Sequence, residues 1–520
     1  MSGGPGVLTR RTLGGILWMG WGKGATAVSQ LLVLAVLARL LAPTDFGIVS
    51  AAMIVIGFSG IFSRLGLGPA LVQRPELEDR HLRTATTVSL LFGFTVGALV
   101  WAGAPVAAAF FRIPEVGPVL RVLAWLFPLQ GVSVVAESLI LKQLRFRWLA
   151  QLDVVSYALG YGAVGIGCAA AGLGVWALVA GQMTQSAVKT VALLARSPLP
   201  RTPHLERRAL GELMYFGSGF TLAKIANHIA LDADNLVVGR WLGPAALGVY
   251  GRAYQLMAMP AKLFGNALDD VLFPVTARVQ TDVRRLAAAY RRGVAVIALG
   301  VLPASVVLAV LAPEFIHVVL GPGWIDVVAP FQLLAVGMVL RTSYKMSDSI
   351  ARSTGAVYRR AWRQFIYAAL VAAGAFVGRR WGVEGVALGV LAALAGNFLL
   401  MAHLGLVLTR MSWRGFAAAH APAARLAAIM GATGWAIAAA LRSRASPPAL
   451  VLGLAACGAA MAAGLVAVRR PRAFLGDDGL WFIDTLQELV ARRLLPSRRP
   501  MGESHEGESP ESRTAGSRSG

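Results

Sequence analysis

Charged and strongly polar residues interrupt the apolar runs of this chain at a few places, with helical spacing. Lys224, Asn227, His228, Asp232, Asp234 and Asn235 fall within 12 residues of one another. Offsets of 4, 7 and 11 put Lys224, His228 and Asn235 on one helix face, with Asn227 and Asp234 beside it. Arg341, Lys345, Asp348 and Arg352 follow the same i, i+4, i+7, i+11 order. Lys23 sits among Gly14, Gly15, Gly20, Gly22 and Gly24. Ionisable groups in an apolar span are costly and turn to a wet cavity or a partner. A wall of Lys23, Lys224, Arg341 and Lys345 would hold an anion such as phosphate or pyrophosphate strongly, because water competes less there. The competing reading of each group is structural. Polar networks also lock helices together, Lys23 could serve an ion pair, Arg352 could snorkel, and Asp348 could partner Lys345 or Arg352. Asp234 and Asp348 are the carboxylates available for coupling to a cation. Arg252 and Tyr254 are further candidates, with Arg252 either an anion contact or an interfacial anchor. Arg64 is either a site residue or an ordinary charge at a span end. Glu137 and Asp153 are expected to pair with the basic cluster at 142–147.

Spans long enough for a bilayer must position these groups. The chain has 520 residues, 56% hydrophobic and 14% charged, against about 25% charged in a soluble protein; mean hydropathy is +0.63. Apolar runs of about 20 residues recur with short breaks, as a hydrocarbon layer requires. The reading is an all-α integral membrane protein of about 14 spans, near 13–37, 47–68, 84–109, 116–140, 152–171, 175–195, 209–232, 245–273, 288–312, 327–350, 362–379, 383–408, 422–441 and 448–468. One pattern occurs twice. Arg39, Pro43 and Gly47 recur as Arg240, Pro244 and Gly248 at a constant offset of 201. Each copy lies between the first and second spans of a half. That predicts two pseudo-symmetric six-helix lobes with the repeat as a gate.

A Pro-rich basic linker at 196–208 separates the lobes. The expected organisation is residues 1–205 and 206–412 for the lobes, 413–470 for two appended spans, and 471–520 for an amphipathic cytoplasmic helix and a disordered tail. That helix is expected either in the membrane interface or against the bundle. With the N-terminus inside, the outer gaps hold 7 Lys/Arg and the inner gaps 22, which follows the positive-inside rule and puts both termini in the cytoplasm. The net charge of +23 is then topological, and spread among spans it forms no nucleic-acid-binding domain. Cys168 and Cys457 lie in predicted spans and make no disulfide framework.

The motifs of other classes are missing. There is no G-x-x-x-x-G-K-[ST] loop for an ATP-driven pump, and no H-E-x-x-H or Cys/His metal cluster. No cofactor is expected. No gap between spans much exceeds about 16 residues, too little for an extramembrane catalytic domain. The expectation is transport, not enzymology.

The stretch 38–47 continuing through 61–74, and the stretch 234–243 with 247–256, resemble the Wzx-type polysaccharide flippases of the multidrug/oligosaccharidyl-lipid/polysaccharide (MOP) exporter superfamily. The resemblance covers about residues 10–410. It implies two six-helix lobes around a cavity that alternates between faces. The cargo it implies is an undecaprenyl-pyrophosphate-linked oligosaccharide moved to the periplasmic leaflet of the bacterial inner membrane, for exopolysaccharide, lipopolysaccharide or capsule. The sugar would cross in the cavity while the polyprenyl tail stays in lipid. The implied partners are that substrate, membrane lipid and polysaccharide polymerase or export machinery, with no nucleic acid. The family's Asp-Asn pair falls on Asp234 and Asn235, and its Arg-Ala-Tyr on Arg252, Ala253 and Tyr254. Rival readings are a cation-coupled multidrug exporter, a peptidoglycan-precursor flippase, a membrane-embedded polymerase or ligase, and a scaffold. A reporter fused after residue 205 is expected to score cytoplasmic; a periplasmic signal would overturn this topology.

Overall fold

The computed structural model describes residues 24 and 27–494, apart from 65, 75–76, 198–203, 209, 212–231, 279 and 281. Among the described residues every regular element is helical. We number the long helices α1 (Ala27–Leu40), α2 (Pro43–Arg64), α3 (Asp79–Phe111), α4 (Val116–Lys142), α5 (Phe146–Ala170) and α6 (Val175–Arg196). Then come α7 (232–241), α8 (Gly243–Arg278), α9 (Val283–Val310), α10 (Val328–Ser353), α11 (Val357–Gly378) and α12 (Gly382–Thr409). The last three are α13 (Trp413–Arg442), α14 (Pro448–Arg469) and α15 (Gly476–Leu494). Nine described stretches are long and apolar enough to cross a membrane, and one of them, Tyr358–Thr409, holds both α11 and α12. The expected seventh span, 209–232, falls almost wholly outside the described residues.

Small residues set the packing. Gly374 and Gly378 on α11 face Gly389 and Gly385 on α12 so closely that a Cβ on Gly378 would lie 2.2 Å from the Gly385 carbonyl oxygen. Both helices carry a G-x-x-x-G spacing, which lets backbones approach where lipid gives no hydrophobic drive. Helices α3 to α6 pack on one another as a first group and α8 to α12 as a second, and α2 crosses from the first group onto α8. The appended α13 lies along α9, and α14 lies on α13. Within the first group Lys189 of α6 reaches Glu137 of α4 at 3.1 Å and Asp153 of α5 at 2.9 Å. This lysine, absent from the sequence reading, is the partner the structure gives those two acids. The tail helix starts against the bundle: Asp478 of α15 accepts from Arg291 of α9 at 3.0 Å, and Arg292 lies 4.2 Å from the Trp481 ring centre.

Two of these helices depart from straight α-helix. Helix α4 breaks at Ala124–Trp125, between Val116–Leu123 and Leu126–Lys142. Helix α5 widens into a π-helix over Ala158–Gly165, a form that commonly marks functional sites.

Outside the spans, the short helix Ala312–Val319 follows α9. Its buried Glu314 accepts two hydrogen bonds from Arg442 at the end of α13, at 2.7 and 2.8 Å. Burial opposes the Glu314 charge, and the Arg442 hydrogen bonds, a backbone hydrogen bond and the Arg442 charge together outweigh it, holding the carboxyl below its ordinary value. The depressed value means this pair stabilises fully above the ordinary glutamate range, and the contribution is lost as pH falls through the native value. Because the Arg442 side chain is 39% exposed, solvent screening limits its worth to about 1 kcal/mol. Arg442→Gln is therefore expected to lower the Tm by a few degrees at neutral pH, with the difference from wild type shrinking in strong acid. A loss independent of pH would contradict this account.

Candidate transport cavity and gate

The duplicated pattern forms helix–turn–helix corners. Arg39 ends α1 and Pro43 begins α2; Arg240 lies at the end of α7 and Pro244 in the first turn of α8. Proline suits a first turn, where its missing N–H has no partner to lose. The two corners meet. A Cβ on Gly47 would lie 1.7 Å from the Pro244 carbonyl oxygen, and one on Gly248 would lie 1.9 Å from the Pro43 carbonyl oxygen. The contact is reciprocal, as a pseudo-two-fold axis requires. Only glycine permits this approach of two backbones.

The two arginines of the repeat reach across the same junction. Arg39 donates to the carbonyl oxygens of Val318 and Val319 at the end of the short helix Ala312–Val319, where the helix dipole favours a cation. Arg240 lies 5.7 Å from the Phe110 ring centre at the end of α3. Trp324, in the 3-10 turn Pro322–Val327, donates to the Ala38 carbonyl at 2.7 Å and meets Phe46 edge-on at 5.2 Å. All six repeat positions therefore sit at one clasp between the two helix groups.

Two polar regions lie beyond the clasp along α8. On one side, Asp234 of α7 is 1% exposed. Its carboxylate accepts from the Tyr250 hydroxyl at 2.6 Å and from the Asn235 amide at 2.9 Å. Arg341 of α10 donates to the Tyr254 hydroxyl and lies 5.1 Å from its ring centre. The Tyr250 and Tyr254 rings are 6.1 Å apart. Two phenols thus stand between a buried carboxylate and a guanidinium. Asp234, Tyr254, Arg341 and the backbone amide of Asn235 are brought together here. Lys345 follows one turn along α10, half-buried.

On the other side is a cavity of about 370 Å³. Gln30 on α1, Tyr157 and Tyr161 on α5, and Gln182 and Gln185 on α6 line it, closed by Arg252 and Gln255 of α8. Tyr161 donates to Gln182 Oε1 at 2.9 Å, and the Tyr157 and Tyr161 rings lie 5.2 Å apart. The π-helical stretch begins just after Tyr157, and the two rings, four residues apart, lie tilted against each other on one face. Arg252 lies 4.8 Å from the Phe46 ring centre. It is an interior group and not an interfacial anchor, separate from the Arg341 cluster because residues two apart point to different faces of a helix. The sequence reading missed the amide wall; its only trace is the i, i+3 spacing of Gln182 and Gln185 in a span.

Asp348, expected as a coupling carboxylate, accepts from Arg360 and lies 3.1 Å from Arg352. It belongs to an ion-pair network at the end of α10. Lys23, Lys224, Asn227 and His228 lie outside the described residues, as does the Arg64 side chain.

A family model described as "Polysaccharide biosynthesis protein" matches residues 36–329, more than half the chain. The chain belongs to that family. The match begins within α1 and spans both copies of the repeat. It bears out the resemblance to the Wzx-type polysaccharide family. The chain is 24% identical over 350 residues to the teichuronic acid biosynthesis protein TuaB of Bacillus subtilis, covering 67% of this chain and 72% of that one. It is 29% identical over 284 residues to the succinoglycan biosynthesis transport protein ExoT of Rhizobium meliloti, covering 54% and 57%. It is 23% identical over 403 residues to the lipopolysaccharide biosynthesis protein WzxC of Escherichia coli, covering 76% and 80%. In fold it is similar to the lipid II flippase MurJ in an inward closed conformation, with a TM-score of 0.67 at 11% identity, covering 87% of this chain and 99% of that one. An inward-facing multidrug transporter of the MOP superfamily gives 0.59 at 18% identity, covering 76% and 95%.

A side chain at Gly47 cannot fit the closed clasp. A carbon needs about 3.3 Å from a carbonyl oxygen, against 1.7 Å for a Cβ here. Gly47→Ala and Gly248→Ala are each expected to push the corners at least about 1.5 Å apart and to abolish transport with protein level retained. Spin labels on the exposed positions Ala42 and Ala245 should report a longer distance in both variants. Unchanged distances would overturn the gate.

Proposed function

We infer that this chain is a flippase that moves an undecaprenyl-pyrophosphate-linked oligosaccharide across the bacterial inner membrane by rocking of two lobes. One observation carries the mechanism. A single helix, α8, crosses to the other helix group at a glycine clasp and also contributes side chains to both polar regions. Rocking at the clasp therefore acts on both regions at once. Family membership supports the cargo class, and the names of the relatives place them in polysaccharide biosynthesis and transport.

In this reading residues 1–205 and 206–412 are the lobes, and 413–470 with 471–520 are additions to the second. Both termini are cytoplasmic, as the distribution of basic residues indicates, so the clasp closes the periplasmic end. The pyrophosphate is held on the Arg341 side. There the guanidinium leans on a phenol and a ring face rather than on a carboxylate, so an anion can replace a weak partner. Lys345 extends that cationic side, and Lys23 and Lys224, outside the described residues, are the further candidates the sequence offers for it. Asp234, tied through Tyr250, is the carboxylate positioned to couple the cycle to a cation. The polymerase or export machinery receives the flipped unit.

The gene deletion tests this. Surface polysaccharide is expected to disappear while an intact oligosaccharide accumulates on its lipid in the cytoplasmic leaflet. Arg341→Ala is expected to reduce export about tenfold or more with protein level unchanged. An unchanged lipid-linked pool together with new drug sensitivity would favour the multidrug exporter reading.

A further inference from the structure

The cavity between α1, α2, α5, α6 and α8 differs in kind from the Arg341 cluster. Its polar wall is built from amides and phenols, Gln30, Gln182, Gln185, Tyr157 and Tyr161 among them. Among the described lining residues Arg252 is the one charged group, and no carboxylate faces it. Its Nε is buried without a hydrogen-bond partner. A buried donor left unpaired is costly, and a ligand oxygen would remove that cost.

The wall has the chemistry of sugar recognition. A glutamine amide both donates and accepts, as does each sugar hydroxyl. The paired rings of Tyr157 and Tyr161 offer flat apolar surface to the C–H face of a pyranose. A volume of about 370 Å³ suits a small ligand. The single guanidinium selects further. Its planar fork matches the two oxygens of a carboxylate. A pyrophosphate carries more charge than one guanidinium offsets, and the described lining residues supply no second cation.

We propose that this cavity is a glycosyl subsite for a sugar bearing one carboxylate, a uronic acid or a carboxyl-bearing ketal, with Arg252 on the carboxylate and the glutamines on its hydroxyls. The proposal rests on the flippase reading and names a substrate class for it. It also gives the rocking motion a consequence. The amides Gln182 and Gln185 belong to α6, while Arg252 and Gln255 belong to α8. Opening the clasp draws the carboxylate contact away from the hydroxyl contacts and releases the sugar.

The test uses the full-length protein in lipid nanodiscs with three probes: 4-nitrophenyl glucuronide, 4-nitrophenyl glucoside and inorganic pyrophosphate. Calorimetry is expected to show the glucuronide bound about tenfold more tightly than the glucoside. Arg252→Gln should erase that difference, leaving glucoside and pyrophosphate binding as in wild type. Gln185→Leu should weaken both sugars and spare pyrophosphate. Each variant must elute as the monodisperse wild type does, and Arg252→Lys, which keeps the charge without the fork, should retain an intermediate preference. Equal binding of the two glycosides, or no binding of either, would overturn the subsite. Loss of pyrophosphate binding in Arg252→Gln would assign the arginine to the carrier and also overturn it. The deletion strain separates this from the parent reading. Accumulated lipid-linked sugar without a carboxylate preference sinks the subsite alone. No accumulation sinks the flippase.

Discussion

Two backbones touch where Gly47 and Gly248 lack side chains, and the arrangement of both helix groups follows from that contact. The crossing occurs within the first two turns of α2 and α8, each with a proline in its first turn whose carbonyl meets the opposite glycine. No larger residue fits at either position, so the corners cannot be exchanged for generic apolar packing. Around this point the junction also has polar and aromatic contacts. Arg39 caps a helix end in the other group, and the Trp324 indole donates to Ala38. Buried Leu37, Leu41, Phe46, Leu247 and Val249 pack around these directional contacts in one apolar core that joins the two groups. The G-x-x-x-G seam of α11 and α12 makes a second close backbone approach, within one group.

The same helix that makes the crossing divides the polar interior. Successive residues of α8 point to different sides, so Arg252 enters the amide cavity while Tyr250 and Tyr254 face Asp234 and Arg341. The amide cavity is lined from both helix groups, while the Asp234–Arg341 cluster lies on α7, α8 and α10 and meets the clasp through α8. A motion that shifts α8 against α2 changes both together. This gives the coupling between gate and site a physical carrier, a rigid element with side chains at each place.

Much of this was legible in the sequence, unevenly. The repeat gave away the corners because Pro and Gly have narrow backbone uses, and a fixed offset between them is hard to produce otherwise. Charges inside apolar runs pointed to Asp234 and Arg341, since burying an ion is expensive enough to stand out. The same logic marked Asp348 both as a coupling carboxylate and as a partner for Arg352, and the structure pairs it with Arg352 and with Arg360. Glutamine escaped notice because a span tolerates it quietly, and four of them meet only after five helices assemble. The π-helical turn of α5, which begins just after Tyr157, has no sequence signal of its own. Tyr250 was missed as the partner of Asp234 because its hydroxyl becomes informative only when the α7–α8 corner folds it back.

How charge is settled inside this molecule separates structural ions from the groups free to bind. Glu137 and Asp153 share Lys189, Asp348 has Arg352 and Arg360, and Glu314 has Arg442. Each of those acids meets a base directly. The interior arginines are handled differently. Arg341 rests on the Tyr254 ring and hydroxyl, and Arg252 on the Phe46 ring. A ring face offers a cation about 0.5–2 kcal/mol, enough to hold the side chain in place and far less than a desolvated carboxylate would offer. An arginine locked to a carboxylate must give up that ion before it can take another. One held by an aromatic face keeps its full charge for the ligand and gives up little when the ligand arrives. The cost of keeping such a cation in a membrane protein is the reason to expect that something anionic visits it in every cycle.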